Sequence, residues 1–314
     1  MAIDTYRPSI FSKKPFFVFI GVAVILWAFA FPFIKIGLSE LSPINLTIMR
    51  LAIVCIVFLL LLVCFPKKFI RIRRQDIVPI FLLGFFGIVV YHLGLNYGEQ
   101  YISASAASLI IATIPVFVII LAVFFLEEII TKKILVGIFL CFSGVALISV
   151  TGTPQSTLEI RYLSGAITTL IAALVGAGYT IAGKKLLQNY SALSLTVYAF
   201  LFGSIGLIPF LSPSLVVEVV SLSRIGWGAI LFLALFPTVI AYILWFMVLE
   251  MRNASEVSIY LYFIPVLSTT ISAIFLDERI TFFFLVGGCL VIAGLLVVNK
   301  YKKKKTTQKI TPLP

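Results

Sequence analysis

The sequence predicts an all-α integral membrane protein whose ten transmembrane helices form two inverted five-helix repeats, 1–151 and 152–314. Three observations carry that expectation. Apolar residues make up 61% of the chain and charged ones 11%, with a mean hydropathy of +1.18, far from the composition of soluble domains. The apolar residues gather into ten runs of roughly 20, the length a helix needs to cross a ~30 Å hydrocarbon core. Finally, a phrase recurs: "IPVFVIILAVFFLEEIIT" from Ile114 returns as "IPVLSTTISAIFLDERIT" from Ile264.

Taken in order, the first predicted span is 16–36, with Trp27 near its middle and Pro32 inside it. It is too long for a signal-peptide core and no small-x-small cleavage site follows it, so it reads as a retained helix. Span two, 44–65, places Arg50 about 9 Å below one membrane face at 1.5 Å per residue. Span three, 76–97, carries Tyr91, His92 and Asn96; with Glu99 just beyond, the last two form an i, i+4, i+7 polar stripe. Span four, 103–126, aligns Ser105, Ser108, Ala112 and Pro115 on one side. Span five is 134–151. Span six, 162–184, sets Gly176, Gly178 and Gly183 around Tyr179, and span seven is 192–211. Span eight, 225–248, contains Tyr242 and Trp245. Span nine, 254–276, repeats the pattern of span four with Ser255, Ser258, Tyr260, Tyr262, Pro265, Ser268 and Ser272; span ten is 282–300. No joint between spans is long enough to be a soluble domain.

The recurrence is a duplication. Residues 103–149 align with 253–299 without a gap at 16 of 47 positions, among them Ser105/Ser255, Ser108/Ser258, Pro115/Pro265 and Glu128/Glu278. Upstream, "LSPINLT" from Leu41 resembles "YSALSLT" from Tyr190. The unit is therefore five helices, and an odd unit re-enters the membrane from the opposite side. Basic residues set the orientation. Nineteen of the 24 lysines and arginines fall at the N-terminus, in "KKFIRIRR", at Lys132 and Lys133, at Lys184 and Lys185, at Arg252 and in the tail from Lys300; only Arg161, Arg224 and Arg279 fall on the other side. Both termini are expected in the cytoplasm of a cell-membrane protein. The same distribution answers the net charge of +12 with topology and attraction to anionic lipid at the cytoplasmic face, and excludes nucleic acid as the partner.

These residues resemble the drug/metabolite transporter superfamily, in its ten-helix EamA-type branch. The resemblance lies in "ILWAFAFPFIKIGLSELSPINLTIMRLAI", in "LGLNYGEQYISASAASLIIATIPVFVIILAVFFLEEIITKKILVGIFLCFSGVALI" and in the second copy from "NASEVSIYLYFIPVLSTTISAIFLDERIT". It implies movement of small metabolites, commonly efflux of amino acids or related compounds, through a central cavity. Where the family often has a small residue after the first-helix Trp, this chain reads "WAFAFP", which implies a more aromatic cavity.

Ionisable and polar groups within apolar spans are the candidates for function. Arg50 is the preferred anchor for a substrate carboxylate, because a guanidinium offers a rigid fork to two oxygens; pairing with helix-end carbonyls, Glu40 or Glu99 is the structural alternative. His92 and Asn96 join it, and Lys35 reads rather as a snorkelling lysine. Trp27, Tyr91, Tyr179, Tyr242, Trp245 and Tyr260 supply an aromatic lining. Pro32, Ser105, Ser108, Pro115, Gly176, Gly178, Ser255, Ser258 and Pro265 are assigned to close packing and gating.

Four cysteines without paired spacing and a single histidine imply neither disulfide nor metal, and no nucleotide-binding loop or other cofactor motif occurs. No catalytic set is present, so an enzyme is not expected. A secondary carrier ranks first, with a multidrug or hydrophobic-compound exporter as the alternative and a channel behind it. Nearly every acid falls at a predicted span end or loop, with only Glu256 slightly inside span nine, so facilitated diffusion or exchange is expected in preference to transport driven through a membrane-embedded carboxylate.

Overall fold

The computed structural model describes residues 13–126, 135–137, 139–141, 143, 144, 147 and 160–308. Its helices are α1 (Lys13–Leu38), α2 (Pro43–Cys64), α3 (Arg74–Tyr101), α4 (Ala104–Ile111), α5 (Ile114–Leu126), α6 (Ile160–Leu186), α7 (Ala192–Ser204), α8 (Pro213–Val220), α9 (Arg224–Met251), α10 (Ala254–Phe275) and α11 (Phe282–Gln308). Eight helices among the described residues are long and apolar enough to cross a membrane, counting α4 and α5 as one and extending α7 to Phe210. They coincide with eight of the ten expected spans. Half of span 134–151 and all of Glu128 lie outside the described residues, and at 282–300 the apolar helix is shorter, Phe282–Gly294. The protein is a multi-pass membrane protein.

Serine sets where helices begin. Ser42, Ser103, Ser191 and Ser223 each adopt extended backbone angles and accept, through the side-chain oxygen, the N–H three residues on, the arrangement that satisfies a helix-start donor. Carboxylates from elsewhere in the chain add to all four of these starts. Glu218 accepts Ser42 N–H at 2.9 Å, Glu40 accepts Ser223 N–H at 2.7 Å, and Glu278 accepts Ala104 N–H at 2.8 Å. Glu250 does the same for Ala192 N–H at 2.5 Å. Acids are drawn to these positions because unpaired N–H groups give a helix start partial positive charge.

Element types recur along the chain. A π-helical turn at Phe85–Val90 in α3 has its counterpart at Leu235–Ile240 in α9, and Ser42 recurs as the cap Ser191. The contacts between loops follow another order. Residues 40–42 bond to residues 218–223, whereas Ile70, Arg73 and Asp76 bond to Ser194, Asn189 and Tyr190.

Helices meet where side chains are smallest. A Cβ on Gly84 of α3 would stand 1.8 Å from the Ala199 carbonyl oxygen of α7, and one on Gly98 would stand 2.0 Å from Thr169 Oγ1 of α6. α3 is thereby held against both neighbours, as close packing in lipid requires. α1 packs on α9 and α10, and α4 on α10. Lipid-facing positions carry exposed Leu, Ile, Val and Phe, for example Leu60 and Val63 on α2.

Candidate functional site

Where the helices lose their regularity, a cavity of about 70 Å³ opens between them. α4 and α5 are separated by a turn at Ala112 and Thr113, and Pro115, lacking an N–H, follows it. α10 contains a tight 3-10 turn at Ile259–Tyr262, followed by Pro265. Residues in or beside both breaks, Ile111, Ile114, Leu261 and Ile264, line the cavity, as does Gly87 of the first π-helical turn. Irregular backbone at membrane depth is tolerated where protein encloses it.

The walls are aromatic with one cation. Trp27 lies edge-on to Tyr242 and Trp245 at 5.7 and 5.3 Å between ring centres, and Tyr179 and His92 lie 5.7 and 5.9 Å from the same Tyr242. The three edge-on pairs, Trp27 with Tyr242 and Trp245 and Tyr179 with Tyr242, place positive ring edges against negative faces. Arg50 enters from α2. Its Nε donates to Thr238 Oγ1 at 2.7 Å, and Thr238 Oγ1 donates to the Leu233 carbonyl at 2.7 Å. The cause is Pro237: it has no N–H for the carbonyl one turn back, at Leu233, and the neighbouring hydroxyl serves instead. The Pro237 carbonyl in turn accepts Trp27 Nε1–H at 2.9 Å. One proline therefore orients both a cation and an indole of the cavity.

Arg50 is 2% exposed, and its Nη1 has no hydrogen-bond partner among the described residues. A guanidinium nitrogen held this way is a donor in waiting for an anion. The structure does not pair Arg50 with Glu40, whose carboxylate binds Ser223, or by hydrogen bond with Glu99. His92 Nδ1 lies 2.7 Å from the Ile88 carbonyl. A carbonyl only accepts, so Nδ1 carries hydrogen and the neutral ring keeps Nε2 as an acceptor.

Of the nine residues expected to contact substrate, seven line this cavity: Trp27, Arg50, Tyr91, His92, Tyr179, Tyr242 and Trp245. Two do not. Asn96 turns its amide to Thr47 Oγ1 at 2.9 Å, and Tyr260 lies against Phe16 and Phe17 in a separate shallow depression between α1 and α10. Tyr260 shares a helix with cavity residues but points from the other side of its 3-10 turn.

Among the packing positions, Gly176 lines the cavity, and a Cβ there would come within 3.2 Å of Ile114 and Tyr91; Gly178 has nothing within 4 Å. Pro32 interrupts α1 bonding within the helix. Ser105 Oγ donates to Glu278 at 2.5 Å and Ser108 Oγ to the Ser105 carbonyl at 2.8 Å, while the Ser255 carbonyl accepts Ser258 Oγ at 3.3 Å.

Thr238 and Thr180 are cavity-related residues that sequence reasoning missed. The Pro–Thr pair inside an otherwise apolar run was the available signal for the first; nothing marks the second. One expectation needs correcting: α3 continues past residue 97 to Tyr101, so Glu99 is not at a solvated end but completely buried within the bundle.

The EamA-like transporter family is matched over residues 15–150 and 163–300. A protein described as an uncharacterized transporter from Archaeoglobus fulgidus is 37% identical over 283 residues, covering 90% of this chain and 97% of that one. A protein of Streptantibioticus cattleyicolor described as a probable terminal-alkyne amino-acid exporter is 31% identical over 93% of this chain and 95% of its own. A probable amino-acid metabolite efflux pump of Salmonella typhimurium is 28% identical over 95% of this chain and 99% of its own. A crystal structure at 14% identity shares the fold, with a TM-score of 0.64 over 93% of this chain and 99% of that one.

Proposed function

We propose, from the premise that this chain belongs to the EamA-like transporter family, that this membrane transporter is a secondary carrier exporting a small amphipathic carboxylate, an amino acid or a related metabolite. The observation that carries the reading is the unpartnered Nη1 of buried Arg50 in the wall of an aromatic cavity. The carboxylate docks on the guanidinium, an amino group is received by His92 Nε2 and the aromatic faces, and the apolar body lies between Trp27, Tyr179, Tyr242 and Trp245. Names of the Streptantibioticus and Salmonella relatives support amino-acid-type cargo and outward direction.

Movement proceeds by alternating access of two inverted repeats, residues 1–151 and 152–314, in a cell membrane with both termini cytoplasmic. The loop contacts support inversion. Ser42 and its counterpart Ser191 begin equivalent helices, yet the loop at Ser42 joins residues 218–223 while the loop at Ser191 joins residues 70–76, at the other end of α2. The basic tail meets anionic lipid.

Flux of a panel of amphipathic carboxylates in reconstituted liposomes tests this. Arg50→Gln is expected to lower carboxylate flux more than tenfold. Unchanged flux would remove Arg50 from the site and leave the aromatic walls to a hydrophobic, uncharged cargo.

A further inference from the structure

Glu99 is treated by this fold unlike the acids at helix starts. Glu40, Glu218, Glu250 and Glu278 each accept backbone N–H groups. Glu99 is 0% exposed, and neither of its carboxylate oxygens has a donor among the described residues. It stands one turn beyond Leu95 and two beyond His92, both cavity residues, on the same face of α3. The charges acting on it come from three directions: Lys35 on α1, Glu278 in the segment after α10, and Arg50 on α2. Its own helix adds Tyr91, with His92 two turns away, and the α6 residues packed beside it at Gly98 are Gly165, Thr168 and Thr169, none of them charged.

A buried carboxyl without donors has two stable conditions: it carries a proton, or nearby cations balance it. Arg50 is one of those cations and is also the docking group for substrate. We propose that Glu99 is a proton site coupled to the cavity, so that one proton travels with each substrate carboxylate. When an anion docks on Arg50, its share of the balance available to a Glu99 carboxylate is lost, Lys35 alone is left against Glu278, and a hydronium ion from the open side transfers its proton to a Glu99 oxygen, leaving water. When the opposite side opens and substrate departs, Arg50 is free again to act beside Lys35, the larger counter-charge, and the O–H bond breaks to return the proton to water. Substrate and proton thereby favour each other's binding by the same factor.

The inference rests on the carrier reading above, and the test separates the two. The full chain is reconstituted with pyranine inside the liposomes and offered leucine, phenylalanine and phenylpyruvate, with Arg50→Gln liposomes as the background. Wild type is expected to move about one proton with each carboxylate, in the same direction, and Glu99→Gln is expected to abolish the proton signal and the response of flux to an imposed pH gradient. Carboxylate flux without proton movement in wild type would leave the carrier reading intact and overturn the proton site. Proton movement that persists in Glu99→Gln would also overturn it. If no panel member moves, the carrier reading fails and the coupling falls with it. Glu99→Asp, sized for correct assembly, guards against a folding defect in Glu99→Gln: it is expected to keep proton movement with a displaced pH profile, and a profile identical to wild type would count against Glu99.

Discussion

Arg50 depends on a residue 188 positions away. Its Nε is held by Thr238, whose hydroxyl is committed to the Leu233 carbonyl, to which Pro237 has no N–H to donate. Thr238→Val keeps the shape and removes the hydroxyl, so both a buried carbonyl and a guanidinium N–H lose their partner, at a cost of about 1–3 kcal/mol. A lower melting temperature in detergent and up to roughly tenfold weaker binding of a carboxylated substrate are expected, with Thr238→Ser restoring both; equal behaviour of the Val and Ser variants would show that the hydroxyl does not position Arg50. Arg50 itself was legible in the sequence, because an arginine inside an apolar run stands out whatever surrounds it. Its partner was not, because a threonine is unremarkable until the fold brings it to the guanidinium. Glu99 was misplaced for a related reason: hydropathy fades at the end of α3 although the helix and its burial continue.

At the scale of elements, two features have separable consequences. Glycine on α3 and α7 sets how near the helices lie, so Gly84→Val, whose Cβ would meet the Ala199 carbonyl oxygen at 1.8 Å, is expected to lower the melting temperature sharply. Gly178→Ala meets nothing within 4 Å and gains helix propensity of up to about 1 kcal/mol, so it is expected to be neutral or stabilising in the same melt. A drop at Gly178 equal to that at Gly84 would show that proximity is not the cause. The second feature is the tie between the α1–α2 loop and the start of α9, where hydrogen bonds from the Ser223 hydroxyl and N–H hold the Glu40 carboxyl below its usual range. A lowered folded-state value means the tie contributes fully above the ordinary carboxylate range, near pH ~4.3, and is lost as pH falls through the depressed value. The stability gap between wild type and Glu40→Gln is therefore expected to be present at pH 7 and to close in acid. A gap that is constant with pH would assign the effect to shape. Helix existence was legible from apolar runs of membrane-spanning length; the serines that start the helices were not singled out, and the carboxylates that complete those starts come from distant loops.

For the whole molecule, Glu278 matters most. It joins the segment after α10 to the start of α4 through Ala104 and Ser105, tying residues of the two halves at one end. Glu278→Gln weakens these charge-assisted bonds and is expected to raise the accessibility of a cysteine placed at Ser103 to a membrane-impermeant reagent on that side, by several-fold over wild type; no increase would show that the tie does not close that end. In a chain freed of Cys55, Cys64, Cys141 and Cys289, cysteines at positions 128 and 278 are expected to label from opposite sides, and labelling from one side would end the inverted arrangement. What the sequence determined by itself was the medium, the helical class and the duplication, because lipid rewards unbroken apolar length and a copied segment keeps its register. It also marked the aromatic and cationic residues that stand out against that apolar background. Only the tertiary structure decided which of them share a cavity, that Thr238 holds Arg50, and that Glu99 lies buried without a donor. Those depend on distances between helices that are remote in the chain, and hydropathy records the depth of a residue but not the side from which its neighbours approach.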